Sequence, residues 1–440
     1  MNKKYSHKFV IIGHEGSHNR GCEALVRTTV QMIREHYPQS LICLVSKYPE
    51  HEVVLSDIQD LIVVPGISVF PHYILNSLSP KIGVPSERYN IWKYIRKRIV
   101  WLNKIFDKII PRIIKRIAKK IIPGYFADNY LPVPCLENVY KNADAVIVTG
   151  GDIFYDDYGP PLLEINMLEL AHKLGIKTVI WGFSIWPQKD HSIRKKVLDM
   201  LAKVDLIMVR DDATYNYLRR AGLEIKRVAD GAFLMAPDEK APLSLPAEHK
   251  DRLVIGFNGS SLMFGQHIPC AKHAFVTQEL VRYFQYLIDN ENVFIVFVPH
   301  DGYPASSERG FLWELATLIN RPDMIYIPEK IYNAPETKAL VGKCSCFIAM
   351  RFHASIAAMS QGIPTIGLSY SPKFAGLHEL VYGHKRFLLD YESIAFDGLL
   401  GKFDCLLKNG NEVKVSLKKR IAELKSQAEL SGNYFRQLVG

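Results

Sequence analysis

The chain has 440 residues, of which 48% are hydrophobic and 23% charged. This length predicts two domains with apolar cores, and the ordinary composition excludes a disordered, collagen-like or low-complexity protein. The formal net charge of +10 suits an anionic partner. Seven cysteines without a C-x-x-C pair fit a reducing compartment and indicate no disulfide framework.

The N-terminal sequence MNKKYSHKFVIIG passes from basic residues directly into a short apolar run and lacks the features of a signal peptide. No apolar run reaches the roughly 18 residues that a membrane span needs. We therefore expect a cytoplasmic protein. Residues 9–13 predict the first strand.

The segment HEGSHNRGCEALVRTT, residues 14–29, follows that strand and predicts a helix that begins at Cys22. Free backbone N–H groups and the helix dipole at such a start would face an anion. Glu15 and Asn19 are therefore candidate loop contacts. The segment matches neither a Walker loop nor G-x-G-x-x-G, and glycines that merely close the turn are the alternative.

Residues 91–122 carry eleven Lys or Arg against one acid, Asp107, which equals the whole excess of positive charge. Isoleucine, leucine and phenylalanine recur there every three or four residues, with Trp92, Tyr94 and Trp101 between them. Such a basic amphipathic insertion predicts a helix on an anionic membrane surface. A helix packed on the sheet with a solvated basic face is the alternative. We expect no nucleic-acid partner, because no nucleic-acid-binding module is present.

Residues 145–159, AVIVTGGDIFYDDYG, predict a second strand that ends in Gly150 and Gly151. Paired glycines let a ligand approach the backbone, and Asp152 could orient or deprotonate a hydroxyl group. A helix N-cap is the alternative role for Asp152. Asp156 and Asp157 are expected to be solvated loop charges, and no metal site is predicted.

Five further strand-like runs end at Gly182, Arg210, Gly259, His300 and Met350. Helix-length segments with apolar spacing of three and four, such as 166–174 and 213–221, lie between several of them. This alternation predicts an α/β protein with parallel sheets. The Pro-rich polar stretch 236–251 predicts a linker between domains 1–235 and 252–440. We expect two doubly wound, Rossmann-like domains that face a cleft with their strand carboxyl ends.

Arg210 and the pair Arg351 and His353 each follow a predicted strand. Ligands bind at strand carboxyl ends in open α/β sheets. An arginine there can hold a phosphate or carboxylate, and a histidine can exchange a proton near neutrality. The alternatives are structural: Arg210 paired with Asp211 or Asp212, Arg351 in an ion pair, and His353 as a cap or a buried donor.

Taken together, these segments resemble the polysaccharide pyruvyl transferase family. The matching blocks, in family order, are N-x-G-x-E-A at 19–24, Gly150-Gly151, residues 182–187, V-R-D at 209–211, D-G-A-F at 230–233, P-H-D at 299–301, and R-F-H-A through G-I-P at 351–364. The resemblance covers the chain from about residue 9 to 380, and the ordered set is far more specific than any single block.

The resemblance implies a fold similar to that of two-domain, GT-B-like glycosyltransferases. It also implies transfer of the pyruvyl group of phosphoenolpyruvate onto two hydroxyls of a sugar, which gives a pyruvate ketal in cell-envelope or capsular polysaccharide synthesis. His353 would be the general acid, and Arg210 would anchor the donor's carboxylate or phosphate. We add Arg351 as a second phosphate contact. Phosphoenolpyruvate is then a co-substrate, and no cofactor or metal is expected.

Two departures concern the acceptor side: Cys22 stands where many members carry an acid, and G-F-S-I-W-P at 182–187 replaces a more usual G-Q-G-I-x-P. A lipid-linked acceptor sugar is expected if the basic insertion holds the protein on the inner face of the plasma membrane. Candidates for the base are Glu15, Asp152, His300 and Asp301. A nucleotide-sugar glycosyltransferase and a non-catalytic membrane-binding protein are the alternative functions, because fold does not fix function.

Overall fold

The computed structural model describes residues 5–65, 134–155, 161–241, 245, 249, 251–260, 270–302, 308–369 and 372–440. The basic insertion 91–122 and residues Asp156 and Asp157 lie outside these ranges, as does part of the linker predicted at 236–251. The predictions made for those segments stay predictions.

Two sheets, each with all its strands parallel, organise the described residues. The first has the order β3-β2-β1-β4-β5-β6-β7 and the second β10-β9-β8-β11-β12-β13. The first sheet contains β1 His7–His14, β2 Ser40–Ser46, β3 Leu61–Pro65, β4 Ala145–Thr149, β5 Lys177–Phe183, β6 Leu206–Val209 and β7 Lys226–Arg227. The second contains β8 Leu253–Asn258, β9 Val293–Phe297, β10 Ile325–Tyr326, β11 Cys346–Ala349, β12 Thr365–Ser369 and β13 Leu388–Asp390.

Helices connect the strands and cover the sheets. In the described residues they are α1 Arg20–His36, α2 Pro134–Tyr140, α3 Leu162–Lys173, α4 His191–Leu201, α5 Asp212–Arg220, α6 Cys270–Asn290, α7 Glu308–Ile319, α8 Ala334–Val341, α9 Phe352–Met359, α10 Pro372–Tyr382, α11 Phe396–Lys408 and α12 Gly410–Val439. Short 3-10 helices include Pro49–Leu55 and Gly231–Phe233. The predicted α/β class with two parallel-sheet domains is confirmed.

The strands form because their apolar runs are short and continuous, which suits a sheet covered on both faces. Every residue of β4, AVIVT, is buried. Strand order reverses direction beside β1 and β4 in the first sheet, and beside β8 and β11 in the second. Loops that leave neighbouring strands diverge at such switch points, which creates the crevice in which ligands bind.

The first helix begins at Arg20, two residues before the predicted start. The reason is Asn19, whose side-chain oxygen accepts hydrogen bonds from the backbone N–H groups of Gly21 (2.9 Å) and Cys22 (3.4 Å). Asn19 is thus an N-cap, the position where this residue type is most favourable. This cap fixes the start of α1 near the carboxyl ends of the strands of the first sheet.

The two domains are joined directly at their strand ends. The Arg20 backbone N–H donates to the His300 carbonyl (3.0 Å), and the Gly302 N–H donates to the His18 carbonyl (2.9 Å). Between these bonds, Asn19 and Asp301 form an antiparallel bridge. The loop after β1 is therefore paired, main chain to main chain, with the loop after β9.

Helix α12 returns from the second domain to the first. Leu417 and Leu424 belong to the core of the second domain, whereas Phe435 lies in the core of the first. The Phe435 ring is fully buried, with its centroid 5.1 Å from that of Phe9 and 5.4 Å from that of Trp181. Helix α12 thus packs into the cores of both domains and connects them.

We expect Phe435→Ala to lower the free energy of unfolding by about 3–5 kcal/mol, because it leaves a cavity among aromatic rings. Urea unfolding measures this loss. Val415→Ala on the same helix is the control, since Val415 is 71% exposed and its truncation should change stability by no more than about 0.5 kcal/mol. Equal losses of unfolding free energy for the two variants would contradict the packing of α12 into the first domain.

Candidate functional site

A cavity of about 250 Å³ lies where the strand carboxyl ends of the two domains meet. Nine of the ten predicted site residues line it: Glu15, Asn19, Gly150, Gly151, Asp152, His300, Asp301, Arg351 and His353. They come from the loops after β1, β4, β9 and β11. The tenth, Arg210 at the end of β6, is buried directly behind Asp152 and Gly151.

The guanidinium of Arg210 is held by three side chains. It donates to Asp230 (2.6 Å), to Asp152 (2.9 Å) and to the Ser184 hydroxyl (2.8 Å). Its pKa is raised: burial opposes the charge, but Asp230 and Asp152 outweigh that cost. The pairs that the sequence suggested for Arg210, with Asp211 or Asp212, are replaced by these two carboxylates.

Asp230 is a site residue that sequence reasoning quoted only as part of a family block. It is 3% exposed and caps the short helix Gly231–Phe233 through the Ala232 N–H (2.8 Å). Its other oxygen, Oδ2, contacts Arg210 and lies 3.6 Å from Nε2 of His353. Burial opposes its ionisation, but Arg210 and His353 hold its pKa well below the ordinary value. Asp230 is therefore an anion between the buried arginine and the histidine.

His353 lies in the first turn of α9 and packs against α1 of the other domain. A Cβ atom built on Gly21 would lie 2.3 Å from its Nδ1, so glycine is what permits the contact. The side chain is 17% exposed. The helix-cap alternative does not apply, because the N-cap of α9 is Arg351, whose side chain makes no capping bond.

Arg351 is anchored by two carboxylates of the second domain. Its Nε donates to Glu308, and its Nη2 donates to Asp301 (2.8 Å). Glu308 also accepts from the backbone N–H groups of His300 (2.7 Å) and Asp301 (3.1 Å). The structural ion pair considered for Arg351 is thus present, and Arg351 still lines the cavity. Glu308 was missed because it lies on a helix, after a segment without strand signals.

His300 lies between the two sides of the cavity and is 4% exposed. Burial, together with the charges of His353, Arg351 and Arg20, places its pKa well below the ordinary value. It is therefore neutral at neutral pH. Its Nδ1 has no hydrogen-bond partner among the described residues.

Lys373 lines the cavity and was also missed by the sequence analysis. It lies on α10, just after β12, and donates to Asp152 across the domain interface. Burial opposes ionisation of Asp152, but Arg210 and Lys373 outweigh it and hold its pKa below the ordinary value. The sequence could have identified Lys373 as a site residue, because it also follows the end of a strand. No helix begins at Asp152, so the N-cap alternative for that residue does not apply.

The charges around the cavity are matched rather than of one sign. Three cations, Arg210, Arg351 and Lys373, face the carboxylates of Asp152, Asp230, Asp301 and Glu308. Buried cations need such partners, because an unpaired charge away from water is costly. An anionic ligand would therefore take over cations that carboxylates now hold. In the described part of the chain, no group of three or more His, Cys, Asp or Glu is arranged to hold a metal ion.

We expect Gly21→Ala to cost about 1–3 kcal/mol of stability, since its methyl group would overlap the His353 ring. Chemical unfolding of the variant measures the cost. Gly401→Ala is the control: Gly401 lies in α11, and a methyl group added there would have no atom within 4 Å, so alanine should be neutral or stabilising. A Gly21→Ala protein as stable as the control would show that the close contact is absent.

At the level of structure the chain is similar to the UDP-GlcNAc 2-epimerase of Neisseria meningitidis bound to UDP-GlcNAc, with a TM-score of 0.55, 8% identity, and 98% of this chain and 100% of that chain covered. Anabaena HepE in complex with UDP-glucose gives a TM-score of 0.54 at 11% identity, with 98% of each chain covered. These likenesses concern the fold, which is GT-B-like as expected.

At the level of sequence, the chain is 22% identical over 306 residues to the amylovoran biosynthesis protein AmsJ of Erwinia amylovora, covering 67% of this chain and 71% of that protein. The family model of polysaccharide pyruvyl transferase matches residues 19–372, from the cap of α1 to the start of α10. His353, Arg210 and Arg351 all lie inside that match, which covers most of the chain. The chain belongs to the polysaccharide pyruvyl transferase family, a family of transferases in polysaccharide biosynthesis.

Proposed function

We propose that the protein transfers the pyruvyl group of phosphoenolpyruvate onto two hydroxyls of a sugar and forms a pyruvate ketal in cell-envelope or capsular polysaccharide synthesis. One observation supports this proposal: His353 lines a cavity together with Arg351 and Lys373, and Arg210 is buried behind Asp152 of the same cavity. A proton donor beside several cations suits a multiply anionic substrate that must be protonated on carbon.

The donor has a carboxylate and a phosphate, and each needs a cation. Three cations line the cavity: Lys47, Arg351 and Lys373. Arg351 and Lys373 belong to the same domain as His353, so they are the first candidates. Arg210 becomes accessible when the Asp152 carboxylate, whose side chain is 20% exposed, moves away from it. The donor thus competes with Asp152 for Lys373 and Arg210. This competition is the structural form that we propose for the donor-binding role of Arg210.

In the proposed chemistry, His353 gives its proton to the methylene carbon of phosphoenolpyruvate, and the adjacent carbon becomes electrophilic. Oδ2 of Asp230 lies 3.6 Å from Nε2 of His353, so a carboxylate faces the ring that carries the proton. One sugar hydroxyl adds to the electrophilic carbon and loses its proton, which restores His353. Departure of phosphate regenerates the electrophile, the second hydroxyl closes the ketal, and its proton leaves with the phosphate.

Cations that hold the donor also stabilise the leaving phosphate, so binding and catalysis use the same groups. Among the candidate bases, Asp301 is engaged by Arg351 and Asp152 by Arg210 and Lys373. Glu15 lines the cavity and is exposed. His300 also lines the cavity, and its Nδ1 has no hydrogen-bond partner among the described residues. Glu15 and His300 are therefore the two candidates left for the group that receives the proton of the first hydroxyl and relays it to His353.

His353→Ala is expected to lower acceptor-dependent phosphate release by about 10²- to 10⁴-fold, the usual contribution of a positioned acid. The assay supplies phosphoenolpyruvate with a panel of lipid-linked and nucleotide-linked sugars, and calorimetry follows binding of the donor alone. Donor affinity should change little, because the cations remain. His172→Ala, an exposed histidine on α3, is the matched control. Undiminished release by His353→Ala would refute the assignment.

Asp152→Asn is expected to tighten binding of phosphoenolpyruvate by roughly tenfold, because the substitution removes the anion that competes for Lys373 and Arg210. Titration calorimetry compares it with Asp199→Asn, which changes a carboxylate on α4, away from the cavity. Weaker donor binding by Asp152→Asn would mean that the carboxylate supports the donor site instead of competing with the donor.

A nucleotide-sugar glycosyltransferase is the second candidate, and the solved structures of similar fold bound to UDP-sugars favour it. Ligand-induced thermal shifts separate the two, because a ligand stabilises the native state that binds it. A higher melting temperature with UDP, and an unchanged one with phosphoenolpyruvate, would favour the glycosyltransferase over the pyruvyl transferase.

The proposal also includes the anionic inner face of the plasma membrane as a partner, through the basic segment 91–122. A lipid-linked acceptor would be presented at such a surface. In the part of the chain that the structure describes, no helix is both long and apolar enough to cross a membrane.

A further inference from the structure

The wall of the cavity that belongs to the first domain differs from the wall with His353. Tyr48 and His18 line it, and their ring centroids are 5.5 Å apart at an interplanar angle of 81°. His51 packs against both rings, with centroid distances of 4.9 Å to His18 and 5.8 Å to Tyr48. We call these three residues the aromatic platform.

The platform is built on a loop that leaves no room for side chains beneath it. Gly16 has a φ of +110°, and a Cβ atom there would lie 2.7 Å from Nδ1 of His18 and 3.2 Å from Cδ2 of Tyr48. Only glycine combines that backbone conformation with that contact. The rings therefore lie directly against the main chain after β1.

A buried polar network holds the same loop in place. Glu52 accepts hydrogen bonds from Ser17 and from Ser46 (2.7 Å) and contacts His14 (3.1 Å), and Ser46 also accepts from the Tyr48 N–H (3.1 Å). Burial opposes ionisation of Glu52, but its bonds to His14, Ser17 and Ser46 lower its pKa to about 2. The Glu52 carboxylate, ionised at neutral pH, thus holds both segments that carry the platform: Ser17, next to His18, and Ser46, which accepts a hydrogen bond from the Tyr48 N–H.

The His18 ring of the platform is neutral, and one cation, Lys47, lies over the Tyr48 ring. Burial, together with His51 and His14, lowers the pKa of His18 to about 4, so its ring is neutral at neutral pH. Lys47 lies beside the Tyr48 ring, with its ammonium 5.5 Å from the centroid, and Glu15 lines the cavity nearby. An aromatic ring with a few polar groups at its edge is typical of sites that hold a neutral, hydroxyl-rich molecule.

We propose that the aromatic platform is the acceptor subsite, on which a pyranose ring packs its C–H face against the Tyr48 ring, next to His18, while its hydroxyl pair points toward His353. This inference rests on the proposed function and adds to it the place and the class of the acceptor. The cavity that contains the platform also contains Arg351, His353 and Lys373, so both substrates would share one space. We place the anionic donor beside Arg351 and Lys373, next to the proton donor His353, and the neutral sugar ring against the aromatic ring of Tyr48.

The test measures binding of single sugars, which needs no turnover. Saturation-transfer NMR is carried out with methyl pyranosides of glucose, galactose, mannose and N-acetylglucosamine on wild type, Tyr48→Ala, Tyr48→Leu and Tyr48→Phe. We expect at least one glycoside to bind wild type and to receive saturation at the protons of one ring face. Tyr48→Ala and Tyr48→Leu should weaken that binding by roughly tenfold, the scale of one aromatic contact, and Tyr48→Phe should retain it.

Two controls make the result specific. Binding of phosphoenolpyruvate by the Tyr48 variants should stay within about twofold of wild type, which also shows that the variants fold. Trp313→Ala, which removes a half-exposed ring on α7, should leave glycoside binding unchanged. Equal glycoside binding by wild type and Tyr48→Ala, or binding of the donor by wild type with no glycoside bound, would overturn the subsite. Failure of wild type to bind phosphoenolpyruvate would instead refute the donor, which separates the two proposals.

Discussion

The pairing of the loop after β1 with the loop after β9 is the interaction on which the site depends. Main-chain hydrogen bonds join Arg20 to His300 and Gly302 to His18, and they bring the mouths of two separate sheets together. Glu23 of α1 reinforces the junction, because its buried carboxylate accepts from the Ala334 N–H at the start of α8 (2.9 Å). Without this junction neither sheet alone would hold the histidine, the cations and the platform in one cavity.

Burial explains why the arginines of the site are so fully paired. A cation removed from water requires a carboxylate nearby, and Arg210 and Arg351 each have two. A structural ion pair and a ligand-binding role are therefore not exclusive alternatives for these residues. The same guanidinium can pair with a carboxylate in the free protein and with a substrate anion in the complex, provided that the substrate displaces the carboxylate. Among these carboxylate partners, Asp152 is the most exposed.

Strand ends were the part of the site that could be predicted. Apolar runs of four to seven residues predicted seven strands, and the rule that ligands bind at strand carboxyl ends singled out Asp152, Arg351 and His353. Edge strands such as β7 and β10, with two residues each, carried too little pattern to be found. Asp230 and Glu308 escaped because their roles come from the partners that they meet, Arg210 and Arg351, and both partners are distant in the chain.

The sequence by itself determined the α/β class, the parallel sheets and the family, because these follow from local patterns and from motifs in a fixed order. The tertiary structure decided which charges meet. Lys373 reaches Asp152 across 221 positions of chain, and His353 lies against Gly21 of the opposite domain. Such contacts depend on the relative placement of two sheets, and that placement is set by packing and by main-chain pairing between domains, which no local pattern encodes.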